Sequence, residues 1–158
     1  PYTTLFRSIR RTAKKTGRNL YVAGPSKVNR NTTLGDNVRF HGMKITGKGR
    51  VDIGSYVIAA GDCMIITQNH NYEGDAIPYD DTLNFRDVVI GDFVWIGARV
   101  LILPGTKIGE GAIIQGGAVV HGEIPPYAIA GGNPAKVFKY RDAEHFKKLK
   151  AEGKFYRG

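Results

Sequence analysis

The chain has 158 residues, 42% of them hydrophobic and 23% charged, with 23 Lys and Arg against 14 Asp and Glu. That length predicts one domain over residues 1–158, and that balance excludes a disordered polyelectrolyte. No apolar run reaches the roughly 18 residues of a membrane helix, the first residues carry no signal-peptide pattern, and the lone cysteine, Cys63, excludes a disulfide framework or a multi-cysteine zinc site and fits a reducing compartment such as the cytoplasm.

The basic excess sits at the ends. Residues 1–18 hold six Arg or Lys (Arg7, Arg10, Arg11, Lys14, Lys15, Arg18) and no acid, and residues 136–158 hold eight against three acids. In 19–135, eleven acids outnumber nine bases. Such ends either attract anions or are solvated faces of terminal helices. No aromatic–basic interleaving is present, so nucleic acid is not an expected partner. Within 4–15, Leu5, Phe6 and Ile9 stand among Arg and Lys, and Gly17 follows as a stop, which predicts an amphipathic helix. It either caps the fold or makes a weak membrane-surface contact through its basic side.

A repeat follows. From Ile90, aliphatic residues recur every six positions at Ile96, Ile102, Ile108, Ile114 and Val120. Val94, Val100, Thr106, Ala112, Ala118 and Ile124 stand four residues after each, and glycine follows at Gly91, Gly97 and Gly109. Upstream, Val28, Leu34 and Phe40 keep the spacing, as do Ile53, Ala59 and Ile65, with Val57 and Cys63 at the small position. One residue too many separates Phe40 from Ile53. A period of six is neither the 3.6 of a helix nor the 2 of a strand. It fits a chain that turns a corner every six residues, with aliphatic side chains inside and glycine at strained corners. The two blocks, 28–70 and 84–137, predict an all-β fold: a parallel β-helix over about 28–137, of about five coils.

Between the blocks, residues 71–83 carry four acids and no base, and their Pro and Gly exclude a helix. A loop on a rigid coil is either a tolerated insertion or a site that the scaffold positions. His70 at its root favours the second reading. The four histidines, His41, His70, His121 and His145, stand 29, 51 and 24 residues apart, so no metal site is expected. A neutral imidazole at His70 suits proton removal from a hydroxyl or amine. No serine nucleophile elbow is present and Cys63 falls on an inward position, which favours direct transfer over a covalent enzyme intermediate. Residues 141–151 read as a short amphipathic helix with Phe146 and Leu149 on its packing side, expected to cap the far end.

The runs Val89-Ile90-Gly91-Asp92-Phe93-Val94-Trp95-Ile96-Gly97-Ala98 and Ile124-Pro125-Pro126-Tyr127-Ala128-Ile129-Ala130-Gly131-Gly132-Asn133-Pro134-Ala135-Lys136-Val137, with the Asn69-His70-Asn71-Tyr72 corner, resemble segments of the hexapeptide-repeat acyltransferases. The branch is that of maltose, galactoside, nodulation-factor and xenobiotic O-acetyltransferases. The resemblance covers about 28–139. It implies left-handed winding, a homotrimer with active sites between subunits, acetyl-CoA as the acyl donor, and no required metal.

Residue by residue, His70 falls on the family's catalytic histidine, and a backbone N–H of a neighbouring coil would hold the oxyanion. The acceptor side is expected at Trp95, Asn69, Tyr72 and Phe40, the last standing where sugar-acetylating relatives carry an acceptor-binding Asn. Ala98, Gly116 and Gly117 fall where small residues admit the pantetheine arm. Lys136 and Lys139 fall where cations meet the CoA phosphates. His121-Gly122 replaces a Thr-Lys pair, with His121 as the substitute contact. Glu73 or Asp75 is the candidate to orient His70. The expected function is O-acetylation of a sugar or glycan, with surface polysaccharide as one setting. N-acetylation of a nucleotide-linked amino sugar and a non-catalytic trimeric scaffold are the alternatives.

Overall fold

At Ile90, Ile96 and Ile102 the six-residue spacing becomes three faces of one triangular coil. Each side chain points inward and is at most 2% exposed. The structure, a computed structural model, describes residues 2–156; Pro1, Arg157 and Gly158 of the expected domain lie outside them. Strands of two to five residues stack in parallel on each face, because each coil returns its neighbours to the same place. Face 1 holds Lys15–Thr16, Thr32–Leu34, Val51–Ile53, Val88–Ile90, Lys107–Ile108 and Glu123–Ile124. Face 2 holds Tyr21–Val22, Arg39–Phe40, Ile58–Ala59, Trp95–Ile96, Ile113–Ile114 and Ala128–Gly132, and ends on the antiparallel strand Ala135–Tyr140. Face 3 holds Met43–Thr46, Cys63–Ile66, Leu101–Ile102 and Val119–Val120. The winding is that of a left-handed parallel β-helix. Burying each interior Ile, Leu or Val contributes roughly 1.5–3 kcal/mol, so the column of them is the main stabilising term.

The solenoid has about six turns, one more than the repeat predicted. The added coil lies at 15–28: Lys15–Thr16 pairs with Thr33 and Leu34, Tyr21–Val22 pairs with Arg39 and Phe40, and Lys27 bridges Lys44. Thr16, Val22 and Val28 keep the spacing of six, but a threonine at the first position conceals it.

Coil lengths vary at the corners. Ile90 stacks on Ile108, 18 residues on, whereas Leu34 stacks on Ile53, 19 residues on. The extra residue is taken up around Gly47-Lys48-Gly49, where the Asn29 amide donates to the carbonyls of Gly47 (2.9 Å) and Gly49 (3.0 Å). Ile124 stacks on Ile108 only 16 residues away. It therefore occupies the aliphatic register, not the small position assigned to it from spacing. The coil is shortened at His121-Gly122, where Gly122 takes φ +70°.

The corner between faces 1 and 2 is held by a side-chain ladder. Asp36 accepts from the backbone N–H of Arg18 at 2.7 Å, Ser55 Oγ from that of Asp36 at 3.0 Å, and Asp92 from that of Ser55 at 2.7 Å. Short polar side chains satisfy corner donors that the parallel ladders leave over.

Helix α1 (Tyr2–Thr12) covers the open first coil. Ile9 is 1% exposed, and Leu5 and Phe6 pack against the core. Its apolar side is thus used inward, and its solvent side is basic. Helix α2 (Ala143–Ala151) is capped by Asp142, which accepts from the His145 N–H at 2.9 Å. It does not cap the far end as expected. The antiparallel strand reverses the chain along face 2, and the Arg141 N–H donates to the Tyr127 carbonyl at 2.9 Å. That delivers α2 to the corner between faces 1 and 2, where Phe146 packs on Tyr127 and Phe93, and Phe155 beyond it packs on Phe93 and Tyr56. Among the described residues no helix is long and apolar enough to cross a membrane.

Candidate active site

The interruption after face 3 is a β-hairpin. Gln68–His70 pairs antiparallel with Leu83–Phe85, with His70 opposite Leu83 and Asn69 opposite Asn84. Departing from the solenoid, these strands lose their inward side, so Asn69 and His70 are exposed. They line a pocket of about 230 Å³ with Tyr72, Glu73, Asn84 and Arg86. Asn84 and Arg86 were missed by the sequence reading, since they enter through pairing across the loop and carry no periodic signal.

The turn, 71–82, is internally bonded. The Asp80 carboxylate accepts from the N–H groups of Asp75 (3.1 Å) and Thr82 (2.9 Å) and from the Thr82 hydroxyl. The Thr82 hydroxyl, then those two N–H groups, hold the Asp80 carboxyl below the usual carboxylate range, and nearby His70 adds to the effect. Glu73 and Asp75, the expected orienting carboxylates, are both exposed. It is Tyr79 that touches the imidazole, stacked on it with centroids 4.0 Å apart and planes 16° from parallel.

The other expected residues fall in separate places. Phe40 is 0% exposed, between Val22 and Ala59 on the inner side of face 2. It occupies the interior position of its hexad, so, contrary to expectation, its side chain is closed off from an acceptor. Trp95 is 56% exposed on the outer side of face 2. It lines a groove of about 380 Å³ with Ile58 and Ile113 beside it and Leu149, Phe155 and Tyr156 opposite. No side chain lines both this groove and the His70 pocket.

Ala98, Gly116 and Gly117 converge at the corner between faces 2 and 3, all exposed. The Gly117 N–H donates to the Ala98 carbonyl at 2.8 Å, and a methyl on Gly116 would stand 3.2 Å from that oxygen. This edge presents backbone almost bare of side chains. Lys136 stands opposite Gly131 at the same corner one coil on, whereas Lys139 stands opposite Ile129, set back along face 2. His121 lies at the other end of the face-3 strand, away from this edge.

Cys63 is 3% exposed, its Sγ donating to the Gly97 carbonyl at 3.2 Å, and burial pushes its thiol up. That is the inward packing position expected. Among the described residues no three His, Cys, Asp or Glu side chains converge as a metal site requires.

The family model "Bacterial transferase hexapeptide (six repeats)" matches residues 87–122. A probable macrolide acetyltransferase of Lysinibacillus sphaericus is 36% identical over 67% of this chain and 67% of its own length. WbbJ of Escherichia coli K12, a candidate O-acetyl transferase of lipopolysaccharide biosynthesis, is 36% identical over 66% of this chain and 58% of its own. A galactoside acetyltransferase solved in complex with coenzyme A superposes with a TM-score of 0.77 at 26% identity, over 87% of this chain and 70% of that one. The chain belongs to the hexapeptide-repeat acetyltransferases. It spans 28% to 54% of the length of several other curated acetyltransferases it matches.

Proposed function

We propose that the chain is an acetyl-CoA-dependent O-acetyltransferase acting on a hydroxyl of a sugar or glycan, with His70 as general base. The observation that carries this is the exposed imidazole on the rim of a pocket lined by amides, a carboxylate, a guanidinium and a tyrosine ring. Such a lining suits a hydroxyl-rich ring better than an apolar one. An imidazole nitrogen of His70 takes the acceptor's O–H proton as that oxygen forms its bond to the thioester carbonyl carbon. The tetrahedral intermediate then collapses, the C–S bond breaks, and the thiolate recovers the proton from His70. Holding donor and acceptor together supplies much of the rate.

The bare corner at Ala98, Gly116 and Gly117, with Lys136 beyond it, supports a track for the pantetheine arm leading toward the CoA phosphates. In one chain this corner and His70 lie at opposite ends of face 3. The reading therefore places each active site between copies in a homotrimer. Face 3 supports this: after Lys44, its outer side carries the apolar run Met64, Leu101 and Val119, whereas face 1 shows Lys15, Thr33, Asp52, Val89, Lys107 and Glu123. The reaction is assigned to the cytoplasm, where acetyl-CoA is available, with surface polysaccharide as the acceptor's destination. The basic side of α1 is assigned a weak, salt-sensitive contact with anionic membrane.

The test is thiol release from acetyl-CoA with sugars, amino sugars and nucleotide sugars, comparing the wild type with His70→Ala. Acceptor-dependent release that falls by about 10²–10⁴ in the variant is expected. Response to free amines alone would replace O- by N-transfer. No release and no acetyl-CoA binding would leave a trimeric scaffold.

A further inference from the structure

We infer that Tyr79 is the positioning residue for His70: its ring, stacked flat on the imidazole, sets the plane in which that base meets the acceptor. The inference rests on His70 being the general base.

An exposed imidazole on a hairpin has a broad choice of ring orientations, because the second side-chain torsion of histidine is soft. A base must bring one nitrogen within about 2.6–3.2 Å of the proton it removes. Something has to narrow that choice, and neither Glu73 nor Asp75 forms a hydrogen bond or ion pair with the ring. Tyr79 does, with centroids 4.0 Å apart and planes 16° from parallel. A stacked partner covers one face of the imidazole and leaves its edge, where both nitrogens lie, uncovered. Tyr79 does not line the His70 pocket. It stands behind the base and leaves the acceptor's place free.

The rest of the loop serves to keep Tyr79 there. The next residue, Asp80, is clamped through its carboxylate by Asp75 and Thr82, and its own N–H donates to the Asn71 carbonyl at 3.3 Å. The Asn71 N–H donates to the Thr82 carbonyl at 3.1 Å. A methyl on Gly74 would collide with the Asp80 carboxylate, so this position must lack a side chain for the clamp to close. The clamp fixes the backbone on one side of Tyr79, a residue 47% exposed, whose ring rests its inner face on His70. The interruption in the repeat thereby has a role: it carries an aromatic ring back over the base at its own root.

The experiment compares wild type, Tyr79→Phe, Tyr79→Ala and His70→Ala, using acetyl-CoA with p-nitrophenyl β-galactoside and with chloramphenicol as hydroxyl probes. If neither is acetylated, thiol release by water serves as the rate. Proton NMR of the His70 ring gives a readout independent of turnover. Tyr79→Phe should keep the upfield ring-current displacement of the His70 C–H protons and keep kcat within about twofold. Tyr79→Ala should lose the displacement and lower kcat about 10- to 100-fold, with KM for acetyl-CoA and acceptor within twofold. Thermal unfolding should match in all four, since the loop lies outside the core. No displacement in the wild type, unchanged kcat in Tyr79→Ala, a rise in KM alone, or a Phe variant as slow as Ala would each overturn the inference, as would a wild type with no turnover of any kind. Full activity in His70→Ala would instead sink the general-base reading, and the NMR result would still report whether the rings stack.

Discussion

Phe146 of α2 lies directly on the bare backbone of Gly111, where a methyl group would stand 2.9 Å from its Cε2. Gly111 also holds φ +68°, a region that costs an L side chain roughly 1–2 kcal/mol. Gly111→Ala must therefore adopt a strained backbone and lift Phe146 off the corner. We expect a loss of about 2–3 kcal/mol in urea unfolding. A loss of only about 1 kcal/mol, the cost of the backbone alone, would show that α2 is not seated on this corner in solution.

Acid should unfold the protein partly through Asp36. The side-chain bond from Arg18, then the Arg18 N–H, hold Asp36 below its ordinary value of 3.8. A carboxyl whose folded value is depressed stabilises the fold above its unfolded value, and that contribution is lost as pH falls through the folded value. Tm should be nearly flat from pH 7 to about 5 and fall below about 4. The variant Asp36→Asn should start lower at pH 7 and fall less steeply. Parallel curves for the two proteins would refute the assignment.

Ala98→Phe tests the bare corner as the donor's track. Ala98 is exposed, so its replacement should leave stability within about 0.5 kcal/mol. A ring there covers the backbone beside Gly116 and should raise KM for acetyl-CoA about tenfold, a loss of about 1.4 kcal/mol. Lys136→Ala should raise it more than Lys139→Ala does, since only Lys136 stands at that corner. Unchanged KM in Ala98→Phe would move the donor elsewhere.

Leu101→Glu places a charge in the middle of the apolar run on face 3. Light scattering should give three times the 17.3 kDa chain mass for wild type and one chain for the variant. A trimer that survives the substitution would assign the contact to another face.

Much of the fold is legible in the sequence, because its determinant is a period. Ile90, Ile96 and Ile102 announce three faces, and the break after His70 announces a loop, though not the strand pairing that makes it a hairpin. What stayed hidden depends on what one period does not encode. Ile124 fell into the wrong register because two residues are missing from a corner, and a fixed count cannot see a shortened turn. Phe40 was given to the acceptor although its own hexad position places it inside. Helix α2 has a visible apolar side, but the reversal at Ala135–Tyr140 decides where that side lands. Tyr79 is nine residues from His70, and only the folding of an aperiodic loop lays one on the other.

The shortened coil and the strand that follows it bear on how this molecule ends. A stack of parallel strands exposes the same unpaired edge after every turn, and an identical molecule can add to it. Here Ile108 to Ile124 spans 16 residues instead of 18, and face 2 then closes on an antiparallel strand. The next coil of another copy would meet a rim of different circumference and a partner running the opposite way. That mismatch in the last turn works against end-to-end stacking of solenoids into a fibre, which the repeat by itself would allow.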